Sequence, residues 1–264
     1  MPPRLARVYP PPRLTPVPPP IFTVRTVVLP TVVTLGAIVF WVARAPDVAA
    51  VLAAVATVWA MQLIAPAIRR RSLSMEGWAS EVLFAAPFVL FFLPYVAWAV
   101  LARPPLAWDW TGAVLALGAA GAVYASNWRQ LRLGFDRELL EIMPPLHFTT
   151  AALRSYQLLA AAVGQELFYR GVVFEFLRPT MGWGVVVVST VLFVVEHLGN
   201  RWAGAVLDIA YVVRITILST ILATIMFMTG SLWAALLGHV IYNLFPAAQV
   251  AWRYRVNPYR SSAT

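Results

Sequence analysis

Apolar residues in this chain fall in long, nearly unbroken runs, and polar residues collect in the short stretches between them. The runs cover about 24–43, 48–67, 79–102, 110–127, 148–177, 181–199, 203–228 and 231–252. Each is near or above the roughly 20 residues that a helix needs to cross a bilayer. Unbroken runs of this length point to helices, whose backbone hydrogen bonds close within the segment. A membrane barrel would instead show alternating segments of about ten residues. The breaks carry stop signals. Arg44, Pro46 and Asp47 end the first run; Arg69, Arg70 and Arg71 end the second; Arg103, Pro104 and Pro105 end the third; Gly230 and Ser231 make a tight turn before the last. The pattern predicts an all-α fold, a polytopic membrane helical bundle of about eight transmembrane helices. No internal repeat stands out.

Two stretches lie outside the pattern. Residues 1–20 hold nine prolines together with Arg4, Arg7 and Arg13. Such a segment cannot be helical and is expected to be a disordered or polyproline tail. It lacks the short charged region and apolar core of a signal peptide. Residues 21–264 then form a single transmembrane domain. The connection at about 128–147 carries Arg129, Arg132, Asp136, Arg137, Glu138 and Glu141, and residues 136–140 read as a short interfacial helix.

Composition agrees with the runs. The chain is 61% hydrophobic and 12% charged, whereas a soluble domain is about half apolar and about a quarter charged. It has no cysteine, which excludes disulfides, a thiol nucleophile and Cys-ligated zinc. The net charge is +9 and every basic residue is Arg. That reads as a GC-rich bacterial genome with anchoring arginines at a cytoplasmic face, and so as a multi-pass protein of the bacterial inner membrane. Nucleic-acid binding would need a basic face on a soluble module, and none is present. With eight runs, thirteen arginines fall on one side and three on the other, namely Arg44, Arg103 and Arg178. The positive-inside rule then places both termini in the cytoplasm.

Candidate chemistry lies within 150–250. Gln165, Glu166 and Arg170 interrupt the fifth run, Phe193, Glu196 and His197 lie late in the sixth, and His239 and Asn243 lie in the eighth. Ionisable groups at such depth are costly unless paired or used. A rise of about 1.5 Å per residue puts Gln165 and Asn243 roughly 18 Å from the outer ends of their helices, His197 roughly 24 Å and His239 roughly 12 Å. All four can meet between the middle and the cytoplasmic half of the bilayer. Glu166 and Arg170 are spaced i,i+4 in the favourable order for an ion pair. His239 and Asn243 share a face at the same spacing, whereas Gln165 and Glu166 diverge by about 100°. The bland alternative is a set of polar contacts between helices. His147, beside Pro144 and Pro145, is expected to be merely solvated. Glu196 points about 100° from His197 and reads as a carboxylate near the cytoplasmic interface.

These stretches resemble the CAAX protease and bacteriocin-processing (CPBP, or Abi) family of intramembrane endopeptidases. That family carries E-E-x-x-x-R, then F-x-x-x-H, then H-x-x-x-N/D. The matches are Gln165-Glu166 with Arg170, Phe193 with His197, and His239 with Asn243. The resemblance covers about 150–250 and implies a glutamic-type protease with no cofactor. Its first Glu and the F-x-x-x-H histidine, here Gln165 and His197, would activate water, and His239 with Asn243 would form the oxyanion hole. Arg170 and Phe193 would be supporting residues. The implied partner is a membrane-anchored or lipidated protein or peptide, cleaved near the cytoplasmic half of the bilayer. A bacterial sorting protease of the myxosortase kind is a refinement of the same resemblance.

One position departs from the pattern. Gln165 stands where the catalytic Glu is expected, and a neutral amide is no base. Glu166 supplies the carboxylate after a modest helix rotation, or the protein is a silent or partner-dependent relative, or Gln165 is an isosteric silencing replacement. The competing function is a catalytically silent CPBP-fold protein acting as an immunity, assembly or partner-binding factor. A transporter is a weaker rival, since no paired broken helices appear. Two His and a Glu can in principle bind zinc, but the resemblance favours chemistry without a metal. Substrate identity and oligomeric state are not written in the sequence.

Overall fold

The apolar runs fold as helices, and the buried polar residues decide how those helices dock. The computed structural model describes residues 24–72, 82, 84–87, 90–201 and 209–259. Among the described residues it forms α1 (Val24–Val42), α2 (Pro46–Ser72), α3 (Leu93–Ala102), α4 (Trp110–Ser126), α5 (Trp128–Leu133) and α6 (Arg137–Ile142). Then come α7 (Phe148–Glu166), a π-helical turn (Leu167–Val172), α8 (Val173–Met181), α9 (Gly184–Arg201), α10 (Ile209–Thr229) and α11 (Leu232–Val256). No strand forms among the described residues; the only extended pairings there are isolated bridges, Leu106 with Ser231 and Leu146 with Pro258. The fold is all-helical, as the runs predict.

Several boundaries differ from the sequence reading. α2 runs on to Ser72, so Arg69–Arg71 lie in its last turns instead of ending it. The run at 148–177 extends to Met181 as one helical rod with the π-turn inside it. The connection at 128–147 holds two short helices, and Asp136 caps the second by accepting a hydrogen bond from the Leu139 amide. The tail at 1–20, residues 79–81, 83, 88 and 89 of the third run, 203–208 of the seventh, and 260–264 lie outside the described residues. Two helices, Ile209–Thr229 and Leu232–Val256, are long and apolar enough to cross a membrane. Five shorter apolar helices accompany them among the described residues.

α1 and α2 pack as a hairpin. α11 lies between α7 and α4, α10 packs against α9 and α4, and the π-turn sits on α3. The main core joins Val51, Val55 and Val58 of α2 to Tyr95, Phe168, Phe174 and Leu177. A smaller core joins α4, α10 and α11 through Ala116, Leu222, Ile225 and Ala235. Gly238 permits that second contact: a Cβ there would lie 2.8 Å from Leu222 and 3.0 Å from the Ala116 Cβ. The entry to α11 is fixed by Ser231, whose Oγ accepts from the Ala234 amide and donates to the Ala107 carbonyl. Gly230, at φ +67°, makes the preceding turn. At the other end of α11, Asn257 donates to the carbonyls of Leu140, Glu141 and Met143, and Arg253 to that of Pro144. These bonds clasp the polar connection to the bundle. His147 is exposed there and stacks on Tyr259 at 3.9 Å.

Candidate active site

The end of α7 and the π-turn present two polar rows. Residues four apart share a helix face, and adjacent residues diverge by about 100°. Glu166 and Arg170 form one row, Gln165 and Tyr169 the other, and each meets a different part of the bundle. The π-turn begins at the first residue after Glu166, and such bulges frequently mark functional sites.

In the first row, Glu166 and Arg170 are fully buried and pair at 3.2 Å between Nε and Oε2. The other carboxylate oxygen, Oε1, lies 2.7 Å from Nδ1 of His239, brought in by α11. The contact spans 73 residues of sequence. The Arg170 guanidinium donates to the carbonyl and Oγ of Ser219 on α10, at 2.9 and 2.6 Å. It also lies 4.7 Å from the centre of the Phe193 ring. Three helical segments thus share one charge cluster. The Nε contact to Glu166 is an ion pair but lacks hydrogen-bond alignment, and Nη1 of Arg170 has no hydrogen-bond partner among the protein atoms described. The cluster is therefore held chiefly by charge and by the Ser219 and His239 bonds.

In the second row, Gln165 and Tyr169 both meet Glu196. Here the structure corrects the sequence reading. Glu196 is not a carboxylate at the cytoplasmic interface but is buried, 4% exposed. Its Oε1 accepts from Gln165 Nε2 at 2.6 Å and from the Tyr95 hydroxyl at 2.7 Å, and its Oε2 accepts from the Tyr169 hydroxyl at 2.5 Å. Gln62 donates to Tyr95, and the Trp59 indole donates to Tyr169. The sequence reading missed Tyr95, Tyr169, Gln62, Trp59 and Ser219 as well. One signal was present: Tyr169 lies four residues after Gln165, the same spacing that revealed Glu166 and Arg170.

Phe193 sits between the two networks. Its ring meets Tyr169 at 5.6 Å, His197 at 4.2 Å and His239 at 5.5 Å. His197 is half-buried, with Nδ1 2.9 Å from the Phe193 carbonyl oxygen. A carbonyl only accepts, so Nδ1 carries the proton and Nε2 is the acceptor nitrogen of the neutral ring. Asn243, half-buried one turn after His239, donates from Nδ2 to the Leu158 carbonyl on α7 at 2.7 Å. The structure thus brings Gln165, Glu166, Arg170, Phe193, His197 and His239 around one buried centre. It places Asn243 on the α7–α11 seam beside it. Among the described residues no group of three or more His, Cys, Asp or Glu is placed to hold a metal ion.

The chain is a helical bundle with two helices long and apolar enough to cross a membrane, and it buries two carboxylates, an arginine and a histidine in two adjoining networks. Residues 148–245 match the family model described as Type II CAAX prenyl endopeptidase Rce1-like, a family of proteases. Over this segment the chain is similar to the CPBP-type protease family that its motifs resemble. Neither the curated proteins nor the solved structures gave a match.

Proposed function

We propose that this chain is an intramembrane endopeptidase that hydrolyses a peptide bond of a membrane-anchored or lipid-modified protein. The observation that carries the reading is the Glu166–His239 contact. It joins two motif stretches inside the very segment that matches a protease family. The proposed setting is an eight-span protein of the bacterial inner membrane with both termini in the cytoplasm, in keeping with its arginine asymmetry. A sorting protease of the myxosortase kind fits the same setting.

The chemistry follows from which groups donate and which accept. Water attacks the scissile carbonyl carbon, forming a C–O bond as the carbonyl π electrons move to oxygen. Nε2 of His197 takes the water proton, a task suited to a group that titrates near neutrality. His239 donates Nδ1–H to Glu166, so it can donate from Nε2 only as imidazolium. Imidazolium and the Asn243 amide then stabilise the oxyanion, a role worth about two to three orders of magnitude in rate per donor. Collapse of the intermediate breaks the C–N bond, and His197 returns its proton to the leaving amine. The products are a carboxylic acid and an amine, which separate as carboxylate and ammonium once the acid proton passes to the amine. Arg170 keeps the Glu166 charge compensated throughout.

A second reading has its own observation. Gln165 carries no charge and is already hydrogen-bonded to Glu196, which suits a silent binding or assembly factor of the same fold. Mapping the chain ends of membrane proteins separates the two readings, in cells with this chain, without it, and with His197→Ala. Proteolysis predicts a set of new ends that needs both the chain and His197. Identical ends in all three would leave the binding reading standing.

A further inference from the structure

We propose that Glu196 is a positioning residue of the reaction centre: through its bond to Gln165 it braces the helix carrying Glu166 against the helix carrying His197. The inference rests on the proteolytic reading above.

The direction of every proton in this network is fixed by elementary donor and acceptor chemistry. An indole N–H can only donate, so the Tyr169 hydroxyl accepts from Trp59 and sends its own hydrogen to Glu196. Gln62 donates to Tyr95 through its amide nitrogen, which also only donates, so Tyr95 likewise sends its hydrogen to Glu196. Glu196 is therefore an acceptor on both oxygens. Gln165 must face it with Nε2, and its remaining polar atom, Oε1, is an acceptor directed elsewhere.

Two features distinguish this arrangement from ordinary packing. A buried carboxylate usually sits beside a cation, since leaving one uncompensated is costly. The hydrogen-bond partners of Glu196 are instead three neutral donors, while Arg170 is committed to Glu166 and Ser219. The second feature is place. Gln165 is the residue before Glu166, and Glu196 is the residue before His197. A 2.6 Å bond between 165 and 196 therefore sets the spacing between the Glu166–His239 pair and the His197 ring. It also enlists α2 and α3, which lie outside the segment that matches the protease family.

The test is a charge exchange across the bond. Glu196→Gln, Gln165→Glu and the double variant Gln165→Glu/Glu196→Gln are compared in full-length protein. The readouts are melting temperature in detergent micelles and, per amount of folded protein, the chain-dependent ends of membrane proteins. Glu196→Gln should cut processing at least tenfold. Gln165→Glu sets two carboxylates face to face and should lower both melting temperature and processing. The double variant restores one carboxylate and one amide and should recover at least half of both. Normal processing by Glu196→Gln, or a double variant no better than the worse single one, overturns the inference while the proteolytic reading stands. Processing that simply follows the amount of folded protein in all three variants also overturns it, because the network is then only structural. An absence of chain-dependent ends in the unaltered protein overturns the proteolytic reading, and this inference falls with it.

Discussion

Replacing Arg170 by Met tests whether the buried charges stand as a compensated pair. Met nearly fills the space of the arginine stem and removes only the guanidinium. Arg170 is fully buried, 3.2 Å from Glu166, bonded twice to Ser219, and above the Phe193 ring. Taking away one partner of a buried pair costs about 3–5 kcal/mol, because the other charge remains in a medium that cannot solvate it. A charge-assisted hydrogen bond adds about 1.5–3 kcal/mol and a desolvated ring contact about 2 kcal/mol. All these contacts share one guanidinium, so they do not sum. Two relaxations reduce the loss. The His239 ring, 2.7 Å from the carboxylate, keeps its hydrogen bond to it, and neighbouring side chains can shift into the space the guanidinium leaves. The expected loss is therefore at the low end, about 3 kcal/mol.

For a chain of this size, about 2–4 °C of melting temperature goes with each kcal/mol, so Arg170→Met should melt about 6–12 °C lower. The informative comparison is Glu166→Gln/Arg170→Met. Gln keeps an acceptor for His239 but leaves no unpaired charge, so the double variant should melt higher than Arg170→Met by at least half the loss. The assay is thermal unfolding of purified protein in one detergent at one pH. A single variant within about 2 °C of the unaltered protein would refute the reasoning. So would a double variant that melts below the single one, since the cost would then come from packing and not from a stranded carboxylate.

Three further outcomes are expected. Gly238→Val forces a side chain against Leu222 and the Ala116 backbone, 2.8 and 3.1 Å from its Cβ; it should cost about 1–3 kcal/mol and lower the melting temperature. Asn257→Ala removes the donor shared by three carbonyls of the connection; it should cost about 1 kcal/mol and expose residues 134–147 to proteolysis. A reporter fused after Thr264 should be active only in its cytoplasm-dependent form, and periplasmic activity would remove the eight-span arrangement.

The parts of the structure governed by local periodicity were legible in the sequence. α1, α4 and α11 begin and end within a few residues of the apolar runs. The Glu166–Arg170 pair followed from i,i+4 spacing, and the divergence of Gln165 from Glu166 followed from the helical rotation. Glu196 was misplaced because its depth was judged from its nearness to the end of a run, as though the helix ended there. α9 continues to Arg201, and Glu196 is claimed by Tyr95 and Tyr169. Tyr95 lies 101 residues away, and no local pattern announces such a partner. Trp59 and Gln62 were equally silent, since an aromatic or an amide within an apolar run reads as ordinary interior. Asn243 shows the converse limit: its face was correct, but its Leu158 partner is a backbone carbonyl, which no side-chain pattern reveals.

The π-turn explains how so many polar groups fit on one helix without leaving any exposed to lipid. A strictly α-helical rod would carry the direction of the 165/169 and 166/170 rows on into the next turns. The wider turn at Leu167–Val172 holds one extra residue and so rotates everything after it by about 100°. Downstream of that rotation, Val173, Phe174 and Leu177 face the main core with Val51 and Val55. Upstream, the same helix keeps Gln165 and Glu166 directed at α9 and α11. Gly171 lies within the turn, where a Cβ would come within 2.9 Å of Pro104, so the rod runs close to the segment that follows α3. Gln165 and Glu166 both precede that turn, and the ordinary helical rotation of about 100° between neighbours already sends them to different networks, so a change at 165 is felt first at Glu196.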